Sequence, residues 1–366
     1  MSIAFSAEQW ARTRMAFREF WAGRLPRPVV LAQCRGRDPG RPQPPAPYPG
    51  QHNCHDFSWT PDQVVDRVDW ELSRFVFLGD AYPQFYTGYF GPGCIAAFVG
   101  AAVNNTSGNV WYEPPRTLPV TDLHFEYDPD NVWLRRVKGI CAAAVRRWQG
   151  EVLVLMPDMG APFDVLSMFR PGEQLLLDLY DHPEEVKRVS LELHGLFHRF
   201  YNELAEAMGA GTYGYSDWSR IYSETPCHML SSDFAYMIGP EMFDEFVGPI
   251  VADSSRILAR SFYHVDGPGQ LPHLDFLLAI KELDGIQWVP GAGQPECDQW
   301  PGVYGRIRAA GKKIQVMGGL DVFERVLSQL GGPGTGLINL YDDARDFNIK
   351  DEAVVRRRLE RMGVAS

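Results

Sequence analysis

The sequence alternates short apolar runs with amphipathic stretches, and this alternation constrains the fold more than any other feature. Eight runs rich in β-branched and other apolar residues end in polar residues or glycine. Short continuous apolar runs of this kind are typical of strands buried on both faces of a parallel sheet. The predicted strands are residues 28–33, 75–80, 152–156, 212–216, 261–265, 285–289, 313–317 and 336–341.

Helical patterns lie before and between these runs, at residues 6–21, 133–149, 181–208, 240–260, 271–283, 298–310, 321–330 and 351–362. Thr60, Pro61 and Gln63 predict a further helix start with a capping box, and Asp181 is expected to cap the helix that follows it. Eight strand–helix units close naturally into a barrel, and no glycine-rich phosphate turn follows residues 28–33. We therefore predict an α/β fold, namely a single (β/α)8 TIM barrel domain over residues 1–366 with an N-terminal helical extension.

Charge and apolar patterning exclude several classes of protein. The 35 Lys and Arg residues against 46 Asp and Glu residues leave a net charge of −11, which would repel a nucleic-acid backbone. The chain begins without a basic segment followed by an apolar one, and its longest apolar run is shorter than the roughly 20 residues a membrane span needs. We therefore expect a cytoplasmic protein with no membrane partner. The six cysteines form no C-x-x-C pair, so buried thiols are expected.

Barrel enzymes place their active sites at the carboxyl ends of the strands, and the segment around His264 is the strongest candidate there. His264 and Asp266 lie two residues apart, so on a strand they share a face, and Gly267 allows a sharp turn after them. This pair can hold a proton, a metal or a substrate carboxylate. The alternative is structural: Asp266 caps the next helix and His264 satisfies a buried hydrogen bond.

Other polar and aromatic residues also fall at or near predicted strand ends. Asp80 is a further catalytic candidate. Aromatic side chains can enclose a flat or methylated ligand, including a quaternary ammonium, and they can equally be packing residues. The candidate substrate-binding residues are Tyr82, Trp111, Asp158, Asp217, Trp218, Gln287, Trp288 and Tyr341.

Several segments together resemble the uroporphyrinogen decarboxylase superfamily over most of the chain, from about Thr60 onward. They are the run Asp-Ala-Tyr-Pro at 80–83, Gly-Ala-Pro-Phe at 160–163, residues 231–246, Tyr-His-Val-Asp-Gly at 263–267 and Ile-Gln-Trp-Val-Pro-Gly at 286–291. The resemblance implies a (β/α)8 barrel. It also implies one of two activities, decarboxylation without a cofactor or methyl transfer with a corrinoid protein.

Each activity carries its own expectation from the resemblance. In the decarboxylases an aspartate binds the pyrrole nitrogens, and Asp80 looks like its counterpart. In thiol-methylating relatives a His-x-Cys pair and a late cysteine bind zinc. Here His264 matches that histidine, Asp266 stands in place of the first cysteine, and no cysteine follows Cys297.

The leading hypothesis is methyl transfer between a small methylated compound and a corrinoid carried by a partner protein. His264 and Asp266 would hold zinc or act as an acid pair, with Asp80 as a further acid. The alternatives are a decarboxylase of a porphyrinogen or a smaller carboxylated substrate, which would need no cofactor, and a non-catalytic barrel that binds a tetrapyrrole or corrinoid. A homodimer is the common expectation for such an enzyme.

Overall fold

The apolar runs form strands that pair mainly in parallel, as expected for strands buried on both faces. The computed structural model describes residues 3–340 and 347–365. Within these residues the strands are β1 Val29–Arg35, β2 Phe75–Gly79, β3 Gln84–Tyr86, β4 Ala102–Asn104, β5 Trp111–Glu113, β6 Leu153–Leu155, β7 Cys227–Leu230, β8 Arg260–Asp266, β9 Gly285–Val289, β10 Lys313–Met317, β11 Leu337–Leu340 and β12 Phe347–Asn348.

The main sheet has the strand order β12-β1-β11-β10-β9-β8-β7, and β2 pairs with β1. All its pairs are parallel except β1 with β2. Strand β3 pairs in parallel with β6, and β4 and β5 form an antiparallel hairpin. The hydrogen-bonded ladders of the described residues therefore form three sheets in a mixed α/β fold, and a closed eight-stranded ring is not shown.

Two strand predictions need correction. Residues 212–216 do not form a strand, because Thr212 belongs to a short helix and only Tyr215 and Ser216 extend. Tyr215 makes an isolated bridge with Ser223, and the carbonyl of Ser216 accepts a hydrogen bond from the N–H of Met156. The predicted run 75–80 is a strand, but it runs antiparallel to its neighbour β1. Along the sequence, the next strand of the main sheet after β2 is β7, and the apolar pattern did not predict it.

Every predicted helical stretch contains a helix with shifted ends. The helices are α1 Ala7–Trp21, α2 Pro61–Leu72, α3 Ile95–Phe98, α4 Val132–Trp148, α5 Pro162–Phe169, α6 Gln174–Asp181, α7 Pro183–Ala207, α8 Ala210–Tyr213, α9 Pro240–Met242, α10 Gly248–Ile257, α11 Leu274–Ala279, α12 Pro301–Ala309, α13 Leu320–Leu330 and α14 Glu352–Arg361. Of these, α3, α5, α6 and α8 were not predicted. A π-helical turn, Phe243–Val247, joins α9 to α10. Among the described residues, no helix combines the length and the apolar character that a membrane crossing requires.

Local capping explains where two of these helices begin. The Thr60 hydroxyl accepts a hydrogen bond from the N–H of Gln63, whose side chain in turn accepts from the N–H of Thr60, so the predicted capping box is confirmed. Asp181 does not cap α7. It is the last residue of α6, and α7 begins after His182 with a proline in its first turn.

The six cysteines are all free and buried, as the sequence indicated. They are Cys34, Cys54, Cys94, Cys141, Cys227 and Cys297. Burial raises the pKa of Cys54 to about 11 and that of Cys141 to about 12. Because the thiolate is the reactive form of cysteine, such thiols are chemically inert in the folded chain.

A buried ion pair anchors the turn that follows β2. Arg27 contacts the Asp80 carboxylate with two nitrogens, at 2.7 Å and 2.8 Å. The same carboxylate accepts a hydrogen bond of 3.1 Å from the N–H of Val30, and only 5% of the Asp80 side chain is exposed. Asp80 therefore ties the end of β2 to the start of β1.

Removing the arginine of this pair should destabilise the fold strongly. Arg27→Ala leaves the buried Asp80 carboxylate without its partner, a loss that costs about 3 kcal/mol or more. Urea unfolding would measure the change. The matched control is Arg24→Ala, which removes an exposed arginine paired with Glu19 and should leave the unfolding midpoint unchanged. Equal midpoints for the two variants would contradict a structural role for the buried pair.

Candidate functional site

A cavity of about 830 Å³ opens where the carboxyl ends of β6, β7 and β8 meet. Asp158 follows β6, Asp233 follows β7, and His264 lies near the end of β8; all three line the cavity. Parallel strands bring their carboxyl ends to one edge, which is why residues far apart in sequence converge here. The volume lies in the range of sites that enclose a small organic ligand.

Asp233, His264 and Asp266 form a cluster at this cavity. Each offers one ligand atom, and these atoms lie within 4.8 Å of one another. His264 and Asp266 share a face of β8 because side chains alternate along a strand, so the predicted pairing is confirmed in geometry. Asp233 reaches the same point from the loop after β7. We call these three residues the Asp–His–Asp cluster.

A chain of buried amides lies behind His264. The register pairs His264 with Gln287 and Gln287 with Gln315 across three parallel strands, so the three side chains stand in a row. Nδ1 of His264 contacts Oε1 of Gln287, whose Nε2 donates to Oε1 of Gln315 at 2.7 Å. Nε2 of Gln315 donates to the carbonyl oxygen of Ser219 at 2.7 Å. We call this row the amide chain.

Further carboxylates face the cavity. Burial raises the pKa of Asp158, and burial together with the charge of Asp233 raises the pKa of Asp164 to about 7. Asp164 accepts hydrogen bonds from the N–H of Phe234 at 2.9 Å and from the Ser232 hydroxyl at 3.3 Å. Desolvation by the surrounding protein also raises the pKa of Asp233, and the charge of Asp266 adds to this effect while His264 opposes it. Near neutral pH the Asp164 carboxyl is therefore partly protonated.

Aromatic side chains line the remaining wall. The Trp218 ring stands perpendicular to the His264 ring, with centroids 5.1 Å apart. Trp111 on β5 is 61% exposed and Tyr236 is 53% exposed, although both line the cavity. Because burial in the core does not account for these two large rings, they are available to contact a ligand.

A second cavity, of about 680 Å³, lies beside the Asp–His–Asp cluster. Asp266 lines it, together with Glu296 and Cys297 and with Met317 and Gly318 at the end of β10. The cluster thus lies between two cavities, with His264 lining the first and Asp266 lining the second.

The structure brings several of the candidate residues together. His264, Asp158, Trp111 and Trp218 line the first cavity, and Asp266 completes the cluster. Gln287 is fully buried and contacts His264 from behind, so it supports the site from within the protein.

Four other candidates do not line either of these cavities within the described part of the chain. Asp80 is held by Arg27, and the buried Tyr82 hydroxyl lies 3.1 Å from Oγ of Ser216. Trp288 is fully buried and packs against Trp300. Tyr341, the remaining candidate, lies outside the described residues.

Asp217 is the fourth of these residues, and it belongs to a buried network. Its carboxylate lies 2.9 Å from Nδ1 of His228 and accepts hydrogen bonds from the N–H groups of Met229 and Ser219. Burial by itself would raise the pKa of Asp217, but these partners lower it below the usual value. Asp217 therefore links the segment before β7 to Met229 within that strand.

Sequence reasoning missed Asp233 and Asp164. Asp233 follows β7, a strand of sequence Cys-His-Met-Leu that lacks the β-branched pattern, so the sequence predicts no strand there and Asp233 is interpreted from it as a core or loop residue. Asp164 lies in the first turn of α5, where an acidic residue is ordinary because it complements the helix dipole. The run 231–246 that carries the resemblance contains Asp233, and this signal could have found it.

A scan against models of known protein families finds no family that matches this chain, and a search of curated proteins finds no match either.

The raised pKa of Asp164 predicts a pH-dependent stability. A carboxyl whose pKa is higher in the folded state adds stability at low pH and loses it as pH rises through the folded pKa. In chelator-treated protein, Asp164→Asn should therefore gain about 2 kcal/mol of unfolding free energy relative to the unmodified chain between about pH 5 and about pH 8.

Urea unfolding at the two pH values measures this gain. Asp122→Asn, which changes an exposed carboxylate outside the cavity, serves as the control and should show no pH-dependent difference. A constant difference between Asp164→Asn and the unmodified chain would show that Asp164 titrates normally.

Proposed function

We propose that this chain is a uroporphyrinogen decarboxylase-like enzyme, with a (β/α)8 barrel, that transfers a methyl group between a small methylated compound and a corrinoid protein. The observation that carries the proposal is the Asp–His–Asp cluster beside an 830 Å³ cavity with aromatic walls. In this proposal the cluster holds a divalent metal, with zinc as the first candidate.

The donor set fits a metal. Two carboxylates and an imidazole are ligands that suit zinc, and the amide chain contacts His264 at Nδ1, which leaves Nε2 for a metal. The cavity adds Asp158 and Asp164, and none of its described lining residues is a lysine or arginine. Like charges this close repel one another when both are ionised, so a bound cation would stabilise the charged forms of Asp233 and Asp266. When bound, the metal would act as a Lewis acid that polarises the heteroatom of the methyl donor.

The chain's own residues supply the rest of the chemistry. The bond between the methyl carbon and the donor heteroatom would break with its electron pair left on the heteroatom, and the methyl group would bond to the reduced Co(I) corrinoid of the partner protein, which supplies the electron pair of the new bond. In this proposal Asp164 protonates the heteroatom, because it lines the cavity and its raised pKa keeps a proton available near neutral pH. Trp111, Trp218 and Tyr236 line the cavity and would contact the apolar part of the donor.

Decarboxylation is less well supported. The role that the resemblance implies for Asp80 requires a free carboxylate at the cavity, whereas Asp80 is bound by Arg27. A porphyrinogen with many carboxylates would also need arginine or lysine contacts, and the described lining of the cavity offers none. Methyl transfer is therefore the function that the geometry favours.

Metal content is the first measurement. Freshly purified protein should contain about one zinc ion per chain, and His264→Ala should lose it because one of its ligands is gone. His124→Ala removes an exposed histidine far from the cluster in sequence and should keep the metal. Metal-free protein that also fails to bind added zinc would overturn the metal site.

Turnover is the second measurement. Reduced cobalamin and a panel of methoxy, methylamino and methylthio donors should yield methylated cobalamin, followed by its absorbance. Asp164→Asn should slow the reaction by about 10²-fold or more, because the proton donor is lost, while Asp122→Asn should not. Release of carbon dioxide from a carboxylate panel without any corrinoid would instead support decarboxylation. Tight corrinoid binding with no turnover would support a binding barrel.

A further inference from the structure

We infer that the amide chain sets the tautomer of the neutral His264 ring, so that Nδ1 carries the proton and Nε2 is the atom that acts at the cavity. Gln287 and Gln315 are then positioning residues that act through His264. This inference concerns the imidazole itself, and it can be tested whether or not methyl transfer is confirmed.

The donor–acceptor direction of the amide chain is determined at Gln315, the member farthest from His264. The carbonyl oxygen of Ser219 can only accept a hydrogen bond, so the atom of Gln315 that lies 2.7 Å from it must be the amide nitrogen. Oε1 of Gln315 then points the other way, toward Gln287, and it too can only accept. Reversing either amide would place two acceptors or two donors against each other.

The same logic passes through Gln287 to the imidazole. Nε2 of Gln287 donates to Gln315, and the sulfur of Met317, a weak acceptor, lies 3.4 Å from the same nitrogen. Oε1 of Gln287 therefore faces Nδ1 of His264. Because this oxygen can only accept, Nδ1 must be the donor, and in the neutral ring Nε2 keeps its lone pair.

Burial leaves only one assignment of donors and acceptors along the amide chain. Gln287 and Gln315 are fully buried, so water does not compete for their amides, and an unmatched donor or acceptor would go unsatisfied. The strand register holds the three side chains in one row, which limits how far any of them can turn away. Free histidine in water favours the opposite neutral form, with the proton on Nε2. The amide chain therefore reverses the intrinsic preference of the ring.

The consequence for the site is chemical. A neutral imidazole with a free Nε2 can bind a metal or take a proton there, whereas the opposite form presents an N–H to the cavity. Trp218 packs perpendicular to the His264 ring and further restricts its rotation. The amide chain thus prepares His264 before any ligand arrives.

Nitrogen NMR of the metal-free protein with ¹⁵N-labelled histidine tests the inference directly. At a pH where the ring is neutral, His264 should show Nδ1 protonated and Nε2 bare, and loss of the signals in His264→Ala assigns them. Observation of Nε2–H for His264 in the unmodified chain would overturn the inference.

Variants of the amide chain add zinc affinity as a second readout. Gln287→Leu removes the acceptor and should move His264 toward the Nε2–H form, and it should weaken zinc binding by about 10- to 100-fold. Gln315→Leu, one step further from the ring, should shift the same NMR signals less. The control is Asn339→Leu, which removes a buried amide from the neighbouring strand β11 that is not part of the chain. If Asn339→Leu changes the His264 signals as much as Gln287→Leu does, the amide chain has no specific role in setting the tautomer of His264.

Discussion

The alignment of three parallel strands is the constraint on which the candidate site depends. The ladders of β8, β9 and β10 place His264, Gln287 and Gln315 side by side, and the Ser219 carbonyl closes the row. A shift of one residue in either ladder would turn one of these side chains to the other face of the sheet, because side chains alternate along a strand. The chemistry available at the cavity therefore rests on backbone pairing.

Part of this arrangement was predictable from the sequence. Strands β9 and β10 have the predicted bounds, because each is an apolar run between a glycine or lysine and a turn. The alternation rule placed His264 and Asp266 on one face, and both contribute to the same cluster. Local rules of this kind need only the neighbouring residues, which is why they transfer from sequence to structure.

The remainder depended on packing between distant segments. Asp233 enters the cluster from the loop after β7, a strand whose residues carry no β signal, so β7 forms because β8 provides its pairing partner. Asp80 and Asp217 were suitable residues at predicted strand ends, but each is held by a partner, Arg27 or His228, that no spacing rule connects to it. Which carboxylates stay free for a ligand is a property of the assembled molecule.

The buried cysteines have a practical consequence for work on this protein. Since all six thiols are buried, a thiol reagent added to the folded chain reaches most of them only through opening of the structure, whereas Cys297 also lines the second cavity. In a Cys297→Ala background, a single cysteine introduced on the rim of the first cavity, for example in place of the exposed Trp111, would then label fastest. A fluorophore attached there would report ligand entry, with the other natural cysteines left untouched.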